Sequence, residues 1–221
     1  MEEPIGRLEC GPGLKLPSHA LFIGATQSGK TRLCLHLLRN LHLFHPRPSR
    51  VLFHYDQFQK DYLQAKADLA KSGVELLLFK GCQNISLDDI EEKGQTILLI
   101  DDFSEETASS KEIARIATNG RHKNISLWLV WHSLFHKYPA SRVIGQNVRY
   151  YFFLPSLRLE SQLRVLGSQL GMKTKLIEAF KQATEDASAD HPYLLLDVGS
   201  DMPRILRLRS HIGQDMQFCY V

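Results

Sequence analysis

The chain has 221 residues, 43% hydrophobic and 23% charged, with a formal net charge of +3, the balance of a globular α/β chain with a sizeable core. No apolar run reaches the roughly 18 residues of a membrane span, so no membrane association is expected, and the scattered Cys10, Cys34, Cys82 and Cys219 have no CxxC spacing, which argues against a disulfide framework or a zinc site. A charge of +3 is too mild to establish nucleic-acid binding by itself.

In chain order, the first ten residues, MEEPIGRLEC, lack an apolar stretch of signal-peptide type, and residues 1–18 hold three prolines and three glycines. An irregular lead-in is expected there, followed by one domain over 19–221. Residues 19–23 form a short apolar strand, residues 31–43 have helical spacing ended by Pro46 and Pro48, and 50–55 is strand-like. A helix over 57–71, a strand over 74–79 and a strongly apolar strand over 96–100 come next. Ile113, Ile116 and Ala117 share one face of a helix over 111–118, which Asn119-Gly120 is expected to close. Strands at 125–131 and 148–154, helices at 157–170 and 173–184, and a hairpin of 193–198 with 204–209 complete the pattern. Strands alternating with helices predict an α/β fold, a parallel-centred sheet covered on both faces, with a C-terminal β-hairpin. Arg204, Arg207 and Arg209 alternate with apolar residues on the last of these strands, and Arg121, His122 and Lys123 form a compact basic turn. Both fit a solvated surface as readily as a basic patch.

Gly24-Ala25-Thr26-Gln27-Ser28-Gly29-Lys30-Thr31 matches the phosphate-binding pattern GxxxxGK[ST] at every specified position, with a strand before it and a helix after it. Glycines let the backbone wrap so that successive N–H groups and a helix N-terminus face an anion. In this reading the loop binds ATP, Lys30 reaches the β- and γ-phosphates, and the Thr31 hydroxyl ligates Mg²⁺. The apolar strand 96–100 ends in Asp101-Asp102. Asp101 is expected to serve the metal, and Asp102 to act as the general base on the attacking water.

Asn119-Gly120-Arg121-His122-Lys123-Asn124-Ile125-Ser126, the strand after it, and Ser133-Leu134-Phe135-His136-Lys137 resemble the poxvirus-type genome-packaging ATPases of the FtsK–HerA superfamily. That family also occurs in large DNA viruses, virophages and Polinton or Maverick elements. The resemblance covers roughly residues 18–170 and includes a later helix with Arg158, Gln162 and Leu163. It implies a RecA/FtsK-like P-loop NTPase fold and ATP hydrolysis coupled to pumping double-stranded DNA, without sequence preference, into a capsid. It further implies a homo-oligomeric, usually hexameric ring, a capsid or vertex partner, and residence in a host cell's nucleus or cytoplasm or in the virion. An arginine supplied in trans to the γ-phosphate is part of that picture, with Arg142 favoured over Arg121 and Arg158. The family's sensor glutamine, at the end of the strand after the acidic pair, is replaced here by His132. Trp128 and Trp131 beside it fit core or interface positions better than base-stacking platforms. His42 and His45 are an i, i+3 pair without a third ligand nearby.

Two alternatives stand beside this reading. A small-molecule kinase would need an arginine-rich lid, whereas the segment after Trp131 carries only scattered arginines, and a GTPase would need an [NT]KxD motif, which the chain lacks. A non-enzymatic interaction protein on a decayed NTPase scaffold would have lost one of Lys30, Thr31, Asp101 or Asp102, and all four are present.

Overall fold

Successive side chains of a strand point to opposite faces, so the predominantly apolar central strands of this chain must be covered on both sides. The computed structural model, which describes residues 7–8, 11–185, 192–214 and 216–220, shows how. In chain order the elements are β1 (Arg7–Leu8), β2 (Leu14–Lys15), β3 (His19–Ile23), α1 (Lys30–Arg39), β4 (Phe44–His45), β5 (Arg50–Tyr55), α2 (Lys60–Lys71) and β6 (Glu75–Lys80). They continue with β7 (Thr96–Ile100), α3 (Ser104–Ser109), α4 (Lys111–Asn119), β8 (Ile125–Trp131), α5 (Pro139–Asn147), β9 (Val148–Phe153), α6 (Leu159–Gln169) and α7 (Lys173–Thr184). The last are β10 (Leu194–Asp197), β11 (Leu208–Ser210) and β12 (Gln217–Cys219).

Among the described residues ten strands form one sheet in the order β1-β12-β11-β10-β9-β3-β8-β7-β5-β6, and β2 pairs with β4 separately. The run from β9 to β6 is parallel throughout, and β10, β11, β12 and β1 extend it with antiparallel pairs. On one face Phe22, Leu99 and Trp128 pack with Leu33, Leu37 and Leu38 of α1 and Tyr62, Ala65 and Leu69 of α2. On the other, Leu21, Leu98 and Trp131 pack with residues of α3 to α7, among them Ile116, Ile144, Leu163 and Phe180. Phe22 stacks on Phe152 at 4.5 Å between ring centroids, and both tryptophans are core residues at 1% exposure. This is the α/β architecture expected from the alternating pattern.

Several local expectations are corrected. α1 stops at Arg39, because the Asn40 side chain takes the His36 carbonyl (2.9 Å), and residues Leu41–Leu43 turn into a 3₁₀ segment. Asn119-Gly120 does close α4, with Gly120 right-handed (φ −57°) and opening the 3₁₀ turn Gly120–Lys123, while Asn124 (φ 56°) makes the left-handed turn into β8. The C-terminal hairpin is present, with Leu195 opposite Arg209, but 204–206 is a 3₁₀ turn and the second strand starts at Leu208. Arg209 is no surface residue: it is fully buried, 3.6 Å from Asp197. α3, α5, β2, β4 and β12 had no signal in the pattern. Cys10 and most of the first ten residues lie outside the described residues, and no described helix is long and apolar enough to cross a membrane.

Candidate active site

The parallel strands β3, β8 and β7 are neighbours in that order, and the loops that follow them meet at the carboxyl ends, where parallel sheets form ligand crevices. Since β8 lies between β3 and β7, the residue after it is delivered between the glycine-rich loop and the acidic pair.

The glycine-rich loop is shaped by left-handed residues at Gln27 (φ 63°) and Gly29 (φ 92°). A β-carbon at Gly24 would lie 2.6 Å from Ser28 Oγ and 2.9 Å from Leu154 Cβ, so glycine alone fits there. Helix α1 begins directly after Gly29 with no acidic residue in its first turn and no side-chain cap. Its leading N–H groups therefore remain available to an anion.

Lys30 is buried, and its Nζ donates to Gly24 O (3.0 Å), Ala25 O (2.8 Å) and His132 Nδ1 (3.3 Å). An ammonium can only donate, so this contact requires a neutral imidazole with its proton on Nε2. Burial holds the Lys30 pKa below its usual value, against the pull of Asp102 and Asp101. His132 is likewise held below its ordinary value by burial first and by the Lys30 charge second, which keeps it neutral near pH 7. The His132 backbone N–H donates to Ser104 Oγ at 3.2 Å, and the loop beyond it is pinned by Gln162 Oε1, which accepts from Leu134 N (2.6 Å) and Ser133 Oγ (3.2 Å).

Thr31 Oγ1 donates to Asp101 Oδ2 at 2.7 Å. Asp101 is 1% exposed, and its Oδ1 has no hydrogen-bond partner. Burial, with the neighbouring Asp102 charge adding to it, raises the Asp101 carboxyl to about 6 against the Thr31 hydrogen bond. Asp102 is exposed and left-handed (φ 65°). That turn breaks the strand alternation that would otherwise send consecutive carboxylates to opposite faces, so Asp102 lines the same cleft. A hydroxyl beside a buried, half-satisfied carboxylate is an all-oxygen donor set that suits a small hard cation. The residues present therefore fit Mg²⁺, which Thr31 and Asp101 would hold.

These groups enclose a cleft of about 390 Å³ lined by Lys30, Thr31, Asp102 and His132 together with Gln27, Arg32 and Gln59. Two solved structures share this arrangement of strands and helices. The genome packaging NTPase B204 of Sulfolobus turreted icosahedral virus 2, in complexes with ATP-gammaS and with AMPPCP, aligns over 84% of this chain and 94% of its own. The TM-score is 0.53, at 16% and 17% identity respectively. The fold is that of a P-loop NTPase. The cytoplasmic domain of the type VII secretion ATPase EccC of Thermomonospora curvata aligns over 92% of this chain but 25% of its own, at 18% identity and TM-score 0.49. No protein-family model and no curated protein matches the sequence.

Within this P-loop NTPase fold, the three arginines singled out from sequence lie apart from the cleft. Arg142 is exposed on α5, Arg121 is exposed in the 3₁₀ turn before β8, and Arg158 is exposed at the start of α6. Arg32 and Gln59 do line the cleft and were missed. Arg32 was legible as the neighbour of Thr31, and Gln59 follows β5, whose carboxyl end opens on the same side. Ser104 carried no sequence signal, since its role is to fix a backbone group from another loop. Among the described residues no group of three or more histidine, cysteine or acidic side chains has a metal-holding arrangement.

Proposed function

We propose that this chain is an ATPase that drives double-stranded DNA into a viral capsid. The observation that carries the hydrolytic part is the convergence of Lys30, Thr31, Asp102 and His132 on one cleft, with Asp101 hydrogen-bonded to Thr31 behind it. The α1 N-terminus and the loop N–H groups bind the phosphates, and Lys30 exchanges its carbonyl partners for the β- and γ-phosphate oxygens. Mg²⁺ held by Thr31 and Asp101 would supply neutralisation of the phosphate charge. Asp102 accepts the proton of the attacking water, and neutral His132 holds that water or the γ-phosphate by a hydrogen bond.

The packaging part draws support from the resemblance carried by residues 119–126 and 133–137 and from the fold shared with B204, a genome packaging NTPase by name. In this reading the chain works as a homo-oligomeric, hexameric ring, with Arg142 of each subunit reaching the neighbouring ATP. The ring contacts DNA phosphates without sequence preference and docks on a capsid or vertex protein, in the host nucleus or cytoplasm or in the virion.

Steady-state ATPase rates of wild type and Asp102→Asn, with and without double-stranded DNA at low and moderate salt, test it. DNA should stimulate hydrolysis, salt should weaken that stimulation, and the variant should lose about 10²-fold or more. Hydrolysis indifferent to DNA, or transfer of phosphate to a small acceptor, would sink the packaging reading.

A further inference from the structure

A second cleft, of about 300 Å³, opens beside α1 and is bounded by Arg32, His36, Asp61 of α2, Tyr193, Ile212 and Gln214. It adjoins the phosphate cleft at Arg32, which lines both. On α1 it runs from Arg32 to Arg39, a length of about 10 Å at ~1.5 Å per residue, which is the reach of one nucleoside attached to phosphates at the helix N-terminus. Its volume is at the lower end of the range for small-molecule sites.

The wall opposite α1 is a braced turn. Two left-handed residues, His211 (φ 58°) and Gly213 (φ 87°), shape it, and a non-glycine residue in that region marks a conformation held in place by its surroundings. The bracing is visible: Ile212 N donates to the buried Tyr193 hydroxyl at 2.7 Å, and Gln214 N donates to His211 O at 3.1 Å. A β-carbon at Gly213 would lie 3.0 Å from Leu43 Cδ1, so the turn sits against the body of the protein. Gln214 is exposed at its end and lines the cleft.

We propose that this cleft is the nucleoside site, and that Gln214 is its base-reading side chain, selecting adenine. The inference rests on the phosphate-binding reading of the neighbouring loop. A carboxamide offers one acceptor and a pair of donors. Adenine presents an amino donor beside a ring-nitrogen acceptor and pairs with it in two hydrogen bonds, whereas the corresponding edge of guanine presents two acceptors. Arg32, between the two clefts, faces the α-phosphate and the sugar.

The experiment is titration calorimetry of ATP, GTP and inorganic tripolyphosphate, each with magnesium, against the full chain and its Gln214→Ala variant. Wild type should bind ATP more tightly than tripolyphosphate or GTP. The variant should lose about five- to tenfold in ATP affinity, the scale of a lost hydrogen-bonded pair, keep its tripolyphosphate affinity, and bind ATP and GTP more nearly alike. Gln214 is exposed, so an unchanged melting temperature is expected, and Gln214→Asn serves as a second variant that keeps the carboxamide but shortens its reach. Tripolyphosphate binding as tight as ATP binding, or a variant whose ATP and GTP affinities are those of wild type, overturns the nucleoside site and leaves the phosphate loop standing. A wild type that binds neither ATP nor tripolyphosphate overturns the phosphate reading and this inference with it.

Discussion

The Thr31 hydroxyl donates a 2.7 Å hydrogen bond to one oxygen of Asp101, while the other oxygen of that buried carboxylate has no partner. The carboxylate is thus positioned at a cost, which shows in its pKa of about 6. A carboxyl whose folded pKa is raised favours folding fully below its ordinary value of 3.8, and that contribution is lost as pH rises through about 6. In metal-free protein Asp101→Asn should therefore be more stable than wild type at pH 7.5, by at most about 3 kcal/mol. The gap should close as pH falls towards 4, and the variant should lose magnesium-dependent nucleotide binding. Urea unfolding across that range measures it, and a gap that ignores pH would refute the account.

His132 makes a different kind of prediction. Its imidazole must be neutral to accept from Lys30, and its pKa lies below the ordinary 6.5. ATP hydrolysis should fall as pH drops below that value and His132 protonates. His132→Gln keeps a neutral hydrogen-bonding group and should retain activity within several-fold, with a flatter acid limb. His132→Ala should lose roughly 10- to 100-fold in kcat. Matching pH profiles for wild type and the glutamine variant would remove His132 from the mechanism.

Acid stability has its own reporter in His19. It is 1% exposed, its Nδ1 accepts from Leu127 N at 2.9 Å, and burial first, with the Arg121 charge second, depresses its pKa to about 4. A depressed histidine contributes stability above its unfolded pKa of 6.5 and loses it as pH falls through 4. Wild type should lose about 3 kcal/mol more than His19→Gln between pH 7 and pH 4. Equal losses in chemical denaturation would show that His19 does not limit acid stability.

At the antiparallel end of the sheet, Asp197 is fully buried between two arginines. Arg149 donates to its two oxygens at 3.0 and 3.2 Å, and Arg209 lies 3.6 Å away. Arg149 keeps Asp201 at 2.8 Å, but removing the shared carboxylate leaves the fully buried Arg209 charge uncompensated, so Asp197→Ala should cost about 3–5 kcal/mol in unfolding free energy. ATPase activity should be unaffected at temperatures where the variant is folded. A cost near that of a surface substitution would show that Arg209 finds another partner.

The sheet was readable because its central strands are predominantly apolar: β3, β5, β7 and β8 lie where runs such as 96–100 and 125–131 put them. The phosphate loop was readable because each of its residue types answers a steric or electrostatic need that is local in sequence. What escaped is what depends on distant partners. Arg209 looks like any basic strand residue until Asp197, twelve positions earlier, is placed beside it. α3 and α5 are short, and their buried residues, Ala108 and Ile144 among them, are too few to set up a helical period. Gln162 sat in a recognisable helix, yet its hydrogen bonds to the loop after His132 follow only from the packing of α6.

The place of β8 between β3 and β7 separates where residue 132 stands from what it is. Trp128 and Trp131 on that strand are locked into opposite cores, and Trp128 is in register with Ala20 on one side and Leu99 on the other. Sliding the strand by one residue would push each indole through the sheet into the wrong core. An insertion or deletion within 125–131 should therefore disrupt both cores, whereas exchange of the side chain at 132 leaves them intact. The scaffold fixes an address for residue 132 and leaves its occupant to chemistry.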